Sequence, residues 1–297
     1  MSGERALRER PRSVSVVLPV LDAAQSIVQQ LGALAAQDYE GDWELIVVDN
    51  GSTDGSRELA AEQLAAQASG RIVDASGRRG ASHARNAGAR VARGEFLAFC
   101  DADDLVSLGW LRELADAARC GDLVAGRFDV ERLNEPVVRA WHDAPPLDHP
   151  LHGLDFLPFA SGGNCGLWAA VFWQLGGFDE ELAAGEDIDL SWRAQLAGYR
   201  LAFAPDALVH QRFQHRLRAL AAQHFLWGQV TPTLFRDFRA VGMPRPGVLR
   251  VALEWSWILT TWPLNLWSSR WRGRWVRETA LRAGRACGSL TARVVYL

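Results

Sequence analysis

An apolar run at residues 95–100 leads directly into the acidic tripeptide Asp101-Ala102-Asp103. A short run with almost no polar residue is typical of a strand buried on both faces, as in a parallel sheet covered by helices. Open sheets of this kind bind their ligands at the carboxyl ends of the strands. The position therefore predicts that two carboxylates face a binding site, where their oxygen atoms can hold a divalent cation beside the phosphates of a nucleotide.

The rest of the first hundred residues alternates between predicted strands and predicted helices. The predicted strands cover residues 13–20, 43–49, 71–73 and 95–100. The predicted helices cover residues 24–36, 56–68 and 81–92. This alternation indicates βαβ units and therefore a mostly parallel, doubly wound α/β sheet.

The following segment predicts further helices and strands at wider spacing. We expect Ser107 to cap a helix. The residues expected on the inner side of that helix are Leu108, Leu111, Leu114 and Ala118. A strand is predicted from residue 122, and the proline-rich residues 143–158 are predicted to form a connection. Another helix is predicted after Gly185, and one more strand ends at His210.

Charge divides the chain into two parts. Residues 1–206 carry 18 Arg and 32 acidic residues, whereas residues 207–297 carry 14 Arg and 3 acidic residues, so the formal net charge of −3 hides a basic C-terminal part. That part has no nucleic-acid-binding motif, and no nucleic-acid partner is expected. The four cysteines lack the spacing of a zinc site or of a disulfide framework, and a reducing cytoplasm suits them.

Asp49 ends the second predicted strand and precedes a Gly-Ser-Thr-Asp loop that contains Ser52. An acid at this place can bind a ribose or the edge of a base, although a plain turn acid is an equally open interpretation. Dinucleotide-binding oxidoreductases also have an acid here, but they require a Gly-x-Gly-x-x-Gly turn after the first strand. This chain has Pro19-Val20-Leu21-Asp22 instead, which disfavours an oxidoreductase.

Arg85 lies one turn into the third predicted helix, after Gly80 and several small residues. A helix N-terminus and a guanidinium together suit a phosphate or a uracil-like ring. A tightly packed Ala/Gly helix with a surface arginine is the alternative interpretation.

A second acidic pair, Glu186-Asp187, opens the helix predicted after Gly185. The positive end of a helix favours ionised carboxylates, and an ionised carboxylate can take a proton from an attacking hydroxyl as a general base. Plain helix-capping acids are the alternative. His210 is either a structural histidine or a further metal ligand beside the acidic tripeptide.

Taken in order, these segments resemble the family 2 glycosyltransferases of GT-A fold, and the resemblance covers roughly residues 13–211. The segments that carry it are Val-Val-Leu-Pro-Val at 16–20, Val-Val-Asp-Asn-Gly-Ser-Thr-Asp at 47–54, Ala-Arg-Asn-Ala-Gly at 84–88, Asp-Ala-Asp at 101–103, Gly-Gly-Phe-Asp at 176–179, Gly-Glu-Asp at 185–187 and Val-His at 209–210. The resemblance implies a Rossmann-like α/β domain. The chain has Asp22 where many members carry Asn, and it lacks the Gln-x-x-Arg-Trp signature of processive synthases, which favours single sugar additions.

The resemblance implies a nucleotide-diphosphate-sugar donor, with a UDP-sugar favoured. The donor-binding residues that it implies are Pro19, Val20, Asp22, Asp49, Ser52, Arg85, Asp101, Ala102 and Asp103. Asp103 and His210 would bind Mg²⁺ or Mn²⁺, and Asp187 would be the catalytic base. The residues implied for the acceptor pocket are Gly177, Glu186 and Trp192.

The implied reaction is an inverting, metal-dependent transfer to a hydroxyl of a glycan or a lipid-linked acceptor, of the kind used for cell-envelope glycans or exopolysaccharides. A polyprenyl-phosphate acceptor is the first alternative. A sugar-nucleotide nucleotidyltransferase and a non-catalytic partner subunit are further alternatives.

Residues 248–267 are mostly apolar, but Arg250, Glu254, Pro263 and Asn265 interrupt them. Six of the 13 tryptophans lie at or near this stretch. Because a spanning helix needs about 20 apolar residues, we expect an interfacial or re-entrant hairpin on an anionic membrane surface. A helical cap packed on the catalytic domain or on a second subunit, and a full membrane span, are the alternatives.

The sequence therefore predicts three parts and a location. Residues 1–12 are expected to form a flexible tail, residues 13–218 the GT-A domain, and residues 219–297 a helical, Trp- and Arg-rich C-terminal region that associates with the membrane. The start of the chain lacks the apolar core of a signal peptide, so we expect a cytoplasmic protein bound peripherally to the inner face of the cell membrane.

Overall fold

Eight strands form one mixed sheet within residues 7–65 and 70–296, which are the residues that this computed structural model describes. With a separate pair, the described residues contain ten strands, which are β1 (Ser13–Val20), β2 (Asp42–Asp49), β3 (Gly70–Asp74), β4 (Phe96–Cys100), β5 (Leu105–Val106), β6 (Leu123–Asp129), β7 (Leu151–His152), β8 (Pro158–Phe159), β9 (Asn164–Trp168) and β10 (Leu201–His210). The sheet has the order β3-β2-β1-β4-β9-β6-β10-β5, and β7 pairs with β8 separately.

Helices cover the sheet and form the C-terminal region. The helices are α1 (Ile27–Ala35), α2 (Ser56–Ala65), α3 (Ala81–Val91), α4 (Trp110–Ala117), α5 (Pro136–Arg139), α6 (Ala169–Gln174), α7 (Glu186–Leu196), α8 (Leu217–Phe238), α9 (Val248–Thr261) and α10 (Ser269–Thr291). Short 3-10 turns at Arg239–Val241 and Trp262–Leu266 lie between the last three helices.

The first half of the sheet has the predicted parallel arrangement. β1 pairs in parallel with β2 and with β4, and β2 pairs in parallel with β3. Helices on both faces bury the apolar residues of these strands, which explains the continuous apolar runs in the sequence. The predicted α/β fold is confirmed. Because the strands run in the same direction, the loops after Val20, Asp49 and Cys100 lie along one edge of the sheet.

β9 was not predicted, although it lies in the middle of the sheet. It runs antiparallel to both β4 and β6 and separates them. Its sequence, Asn-Cys-Gly-Leu-Trp, has no alternation of apolar and polar residues. The buried Asn164 side chain accepts a hydrogen bond from Trp110 Nε1 and donates to the carbonyl oxygens of Arg127 and Ala207, so β9 is fixed by contacts with residues distant in the chain.

Some predicted boundaries differ from the structure. α4 begins at Trp110 with Gly109 as its N-cap residue, whereas the predicted cap Ser107 pairs with β10 through its N–H, which donates to Leu208 O at 2.9 Å, and Leu108 is exposed. Residues 66–68 of the second predicted helix and residues 1–6 of the predicted tail lie outside the described residues. Within that tail, Arg8 contacts the domain through its N–H, which donates to Arg119 O, and through an ion pair with Asp122.

Helices α8 and α10 pack closely because glycines lie at their contact. A Cβ atom at Gly284 would overlap the carbonyl oxygen of Phe225, and one at Gly288 would overlap that of Gln229. Part of the C-terminal region therefore forms the packed helical cap that was an alternative for the tail. Among the residues that the structure describes, none of the helices combines the length and the apolar character needed to cross a bilayer.

Trp192 of α7 joins this cap to the sheet domain. Its ring contacts the rings of Phe156 and of Phe238 at the end of α8, with centroids 5.0 and 5.2 Å away. Its Nε1 donates to Leu157 O at 2.8 Å, and the side chain is fully buried. A boundary between two parts near residue 218 stays a prediction.

Replacing Gly284 by Ala should destabilise the protein by about 1–3 kcal/mol, because the added methyl group has no space between α8 and α10. Gly32→Ala is the matched control, since Gly32 is an exposed helical glycine with open space around it, and this change should stabilise the protein by about 0.5–1 kcal/mol. The measurement is the free energy of unfolding in urea. Equal effects of the two substitutions would contradict the close packing of α8 on α10.

Candidate functional site

A cavity of about 990 Å³ opens at the carboxyl edge of the parallel strands. Its walls include Pro19 and Val20 at the end of β1, Asp22 just after it, Asn50 and Asp54 after β2, and Asp101, Ala102 and Asp103 after β4. The opposite wall is formed by residues around α5 and by Arg212, Phe213, Gln214 and His215 after β10. The structure thus brings together most of the predicted donor-binding residues.

The loops after β1 and β2 hold each other by hydrogen bonds. Asp22 has a left-handed backbone with φ of 51°, a conformation in which Asp and Asn are more frequent than most other residues. Its Oδ1 accepts the Thr53 N–H at 2.8 Å, and its own N–H donates to Ser52 Oγ at 3.2 Å. Asp22 therefore combines a place on the cavity wall with a structural role, and the Asp found instead of Asn keeps that role.

Asp49 and Ser52 are not among the residues that line the cavity. Asp49 is buried, its Oδ1 accepts the Ser52 N–H at 3.1 Å, and its Oδ2 lies 3.5 Å from Arg57 Nη1. The two residues shape the loop behind the cavity wall. Direct contact of either one with the donor stays a prediction.

Arg85 is the centre of the site. Its guanidinium is buried and bridges two acidic motifs, with Nη2 2.7 Å from Asp101 Oδ1 and Nη1 2.7 Å from Glu186 Oε1. The ring of Phe178 lies 5.6 Å from Arg85 Cζ. A Cβ atom at Gly162 would come within 2.8 Å of Cζ, so a glycine is needed there to make room for the guanidinium. The surface-arginine alternative is wrong.

The acidic tripeptide is part of a cluster of three carboxylates. Asp104 is buried, and its Oδ1 accepts the Arg212 N–H at 2.7 Å. Loss of water, together with the charges of Asp103 and Asp101, raises the pKa of Asp104 well above its usual range. Asp103 opens on the cavity, but the surrounding protein removes part of its water; this desolvation and the Asp101 charge raise its pKa too. The cluster therefore favours an added positive charge, and its oxygen donors suit Mg²⁺ or Mn²⁺.

The second acidic pair begins α7 after Gly185, whose backbone is left-handed with φ of 72°. Asp187 is partly exposed, and its Oδ2 accepts the Gly162 N–H at 3.0 Å. Burial, and then the charge of Asp187, raise the pKa of Glu186, whereas the Arg85 guanidinium lowers it. The Arg85 bridge thus brings the start of α7 to the end of β4.

A turn that sequence reasoning missed lies between the two motifs. Gly162 donates to Asp187, and a Cβ atom at Gly163 would come within 2.6 Å of Asp101 Oδ2. Both glycines are required by close approach of acidic or guanidinium side chains. The only signal in the sequence is the pair of adjacent glycines before Asn164, and such pairs also occur in ordinary turns.

Two residues predicted to shape the acceptor pocket, Gly177 and Trp192, have packing contacts within the protein, and their role toward an acceptor stays a prediction. Trp192 lies in the core between α7 and α8, as described above. Gly177 has a left-handed backbone, and its carbonyl oxygen accepts a hydrogen bond from Arg193 at 2.9 Å. A side chain at Gly177 would press on Asn86 and Phe172, so this glycine is explained by packing.

His210 does not line the cavity in this structure. Its Nδ1 lies 2.6 Å from Asp129 Oδ2, and its Nε2 lies 3.1 Å from Arg132 Nη1. Because a guanidinium only donates, Nε2 must accept and Nδ1 must carry the proton. The hydrogen bond to Asp129 is the support that metal-binding histidines commonly have, but the Nε2 lone pair is directed at Arg132. The structure therefore does not bring His210 to Asp103 as a ligand.

Within residues 7–65 and 70–296, no group of three or more His, Cys, Asp or Glu side chains has the arrangement of a complete metal site. Asp101 and Asp103 both line the cavity and belong to the carboxylate cluster, but Asp101 is already paired with Arg85, which leaves Asp103 as the carboxylate for a cation. Arg132 is exposed, and its departure would free Nε2 of His210. The residues present thus fit a cation at Asp103, with His210 as a ligand only after such a rearrangement.

Comparisons with known proteins agree on one family. Residues 15–176 match the model described as glycosyl transferase family 2, and residues 148–282 match the one described as glycosyl transferase family group 2. The chain is 31% identical to glycosyltransferase AglE of Haloferax volcanii over 66% of this chain and 65% of AglE. It is 29% identical to the pre-mycofactocin glycosyltransferase of Mycobacterium tuberculosis over 76% of this chain and 48% of that protein. These matches therefore cover less than two thirds of the length of either relative.

The fold is also similar to that of a solved enzyme. The mannosyltransferase PcManGT from Pyrobaculum calidifontis, in complex with GDP-Man and Mn²⁺, superposes with a TM-score of 0.63 and 20% identity. The similarity covers 94% of this chain and 87% of PcManGT. It identifies the architecture as GT-A-like.

Replacing Arg85 by Met should destabilise the protein by about 3–5 kcal/mol, because Asp101 and Glu186 would be left near each other without their buried counter-charge. Arg90→Met is the matched control in the same helix. Arg90 is exposed, and Glu180 keeps its contacts with Asn86 and His83 when Arg90 is replaced, so this loss should change stability by less than about 1 kcal/mol. The free energy of unfolding in urea at neutral pH distinguishes the two. A stability of the Arg85 variant equal to that of the control would refute the bridging role.

Proposed function

Since the chain belongs to glycosyl transferase family 2, we propose that it moves a sugar from a nucleotide-diphosphate sugar to a hydroxyl of a glycan or lipid-linked acceptor, with inversion of configuration. The family predicted from the sequence is confirmed, and with it the enzyme class, a glycosyltransferase. The observation that supports this proposed transfer reaction is the ion-pair bridge made by Arg85. It joins Asp101, beside the cavity, to Glu186, which is followed by the proposed base Asp187.

The cavity is the proposed donor site. It has the volume for a nucleotide sugar, and its walls combine apolar residues such as Pro19 and Val20 with the carboxylates of Asp101 and Asp103. Arg85 also lines the cavity, but its guanidinium is already paired with the two carboxylates of Asp101 and Glu186. We therefore assign Arg85 the role of positioning Asp101 rather than that of a free phosphate ligand. The GDP-Man bound by PcManGT supports a nucleotide-sugar donor in this fold.

A divalent cation is proposed at Asp103, and Mn²⁺ in PcManGT supports this choice of cofactor class. Such a cation, when bound, offsets the negative charge of the departing diphosphate. Asp103 would hold the cation, and the ion pair with Arg85 would keep the Asp101 side chain in its orientation. His210 as a further ligand stays a prediction that requires Arg132 to leave Nε2.

Asp187 is the proposed general base. As the acceptor oxygen attacks the anomeric carbon, its proton passes to the Asp187 carboxylate, and the bond from that carbon to the diphosphate oxygen breaks with its electron pair on the oxygen. Attack on the face opposite the leaving group inverts the configuration. The Gly162 N–H, which donates to Oδ2, keeps the carboxylate in one orientation. One base is sufficient for this chemistry.

We further propose that the enzyme acts at the cytoplasmic face of the membrane in the synthesis of an envelope glycan or exopolysaccharide. The basic C-terminal part, with 14 Arg and 3 acidic residues, supports an anionic surface as its partner. A polyprenyl phosphate is a second candidate acceptor. Because a phosphate is already ionised, that reaction needs little help from a base. The effect of replacing Asp187 therefore distinguishes a phosphate acceptor from a hydroxyl acceptor.

The donor is identified by thermal unfolding in the presence of UDP-, GDP- and dTDP-sugars, with and without Mn²⁺. The correct donor at about 100 times its Kd should raise the melting temperature by about 5 °C, because it binds only the folded state. Asp103→Asn should abolish the part of this rise that depends on Mn²⁺, whereas the exposed control Asp206→Asn should keep it. A full Mn²⁺-dependent rise in the Asp103 variant would exclude a cation at this residue.

Asp187→Asn should lower the rate of transfer to a hydroxyl acceptor about 10²–10⁴-fold while donor-induced stabilisation persists. The assay follows label from the donor identified above into a membrane lipid extract, and Asp206→Asn again serves as the control. Wild-type transfer with inverted anomeric configuration and an inactive Asp187 variant support the proposal. Unchanged transfer by the Asp187 variant would favour the polyprenyl-phosphate acceptor.

A further inference from the structure

Helix α9 exposes an uncharged, largely apolar face. The residues of this outward face are Val248, Leu249, Ala252, Leu253, Trp255, Ser256, Leu259 and Thr260. Three of its leucines, Leu249, Leu253 and Leu259, are 74%, 62% and 70% exposed. They recur at helical spacing, so they lie on one side of the helix. A helix on the surface of a water-soluble domain normally turns such a side inward.

The opposite face of α9 carries its charged residues, Arg250 and Glu254, and contacts the rest of the protein. Arg250 is itself exposed, and it is paired with Asp155 and Glu254. Glu254 accepts ion pairs from Arg282 at 3.2 Å and from Arg285 at 3.8 Å, both on α10. Ile258 is buried, and its carbonyl oxygen accepts a hydrogen bond from Trp275 Nε1 at 2.9 Å. The orientation of α9 is therefore fixed by buried polar contacts, which hold its leucines toward the solvent.

Exposed tryptophan and arginine residues lie before and after α9 in the chain. Trp262 in the 3-10 turn after α9 is 53% exposed, and Trp267 is 87% exposed. Arg245 precedes the helix and Arg270 follows the turn; both are exposed, and neither has an ion-pair partner in the part of the chain that the structure describes. Arg272 contacts the turn itself through the carbonyl oxygen of Asn265.

We propose that this surface, formed by the outward face of α9 and the turn to Trp267, inserts into the interfacial region of a bilayer that contains anionic lipids. We call it the α9 surface. An apolar helix face lying in the plane of the membrane buries its leucines among the acyl chains, while tryptophan suits the headgroup depth and arginine the lipid phosphates. The 14 residues of α9 are too few to span the bilayer, so the helix lies along it.

The charges favour a lipid surface over a second copy of the chain. A two-fold contact through the α9 surface would bring the same arginines together from both subunits. The three acidic residues of the C-terminal part cannot balance them readily, since each is already paired with an arginine: Asp237 with Arg236, and both Glu254 and Glu278 with Arg282. An anionic bilayer provides both the apolar layer and the negative charge.

The functional meaning of this surface rests on the proposed function, because a lipid-linked acceptor would be presented at the same membrane. Binding to lipid does not rest on it. A vesicle assay without nucleotide or acceptor therefore tests the surface separately from the chemistry.

The experiment is co-sedimentation of the full chain with vesicles of phosphatidylcholine plus phosphatidylglycerol, and with vesicles of phosphatidylcholine alone. We expect binding to the anionic vesicles that weakens with added salt. Leu253→Glu with Leu259→Glu should lower the partition coefficient by at least about tenfold, because two exposed leucines lose their burial in lipid. Arg270→Gln should lower it about fivefold on anionic vesicles.

The matched control is Leu108→Glu with Leu196→Glu, which replaces two exposed leucines outside the C-terminal region. It should bind like the wild type, and all variants should keep the wild-type melting temperature. Failure of the wild type to bind anionic vesicles, or equal binding by the α9 variant and the control, overturns the proposal. A concentration-dependent dimer in sedimentation velocity that the α9 variant abolishes, without vesicle binding, would assign the surface to a second copy instead.

Discussion

The candidate site depends on the buried ion cluster in which Arg85 lies between Asp101 and Glu186. A guanidinium removed from water is strongly unfavourable unless its charge and its N–H groups find partners. The two partners come from positions 16 and 101 residues away in the chain, so satisfying this one charge requires the end of β4 and the start of α7 to meet. Asp103 and Asp187 then approach the same region through chain connectivity, because each lies within two residues of a partner of Arg85.

Helix α3, which carries Arg85, also holds the loop that leads into α7. Asn86, next to Arg85, donates to Phe178 O at 2.8 Å and accepts the Phe178 N–H at 3.0 Å. Glu180 accepts hydrogen bonds from Asn86 and Arg90, and these bonds help to lower its pKa to about 2 despite partial desolvation. The Ala-Arg-Asn-Ala-Gly segment of α3 therefore organises the site from behind. Its residue types are explained by the contacts of two side chains with two different loops.

The sequence was informative wherever local pattern decides the structure. β1 occupies the predicted residues 13–20, because a β-branched apolar run closed by a proline has few other options. The acidic motifs were recognised because acids at strand ends and helix starts have local signatures. β9, the Gly162-Gly163 turn and the core position of Trp192 were not recognised, since each is determined by partners distant in the chain. A tryptophan at helical spacing fits a pocket and a core equally well until the opposite helix is known.

The structure of the C-terminal region, too, could be predicted only in part from the sequence. This region also contacts the wall of the cavity. Composition indicated a membrane-facing or a packed tail, and both descriptions apply to different helices, α9 for the first by our proposal and α8 with α10 for the second. Phe213 on the cavity wall stacks on His142 at 3.8 Å, and His142 adjoins His224 of α8 at 5.8 Å. Burial, and then the charge of Arg277 on α10, lower the pKa of His142 to about 4, so this stack is neutral near pH 7. One wall of the proposed donor cavity therefore rests on the helices that support the α9 surface, and the position of those helices bears directly on the shape of the cavity.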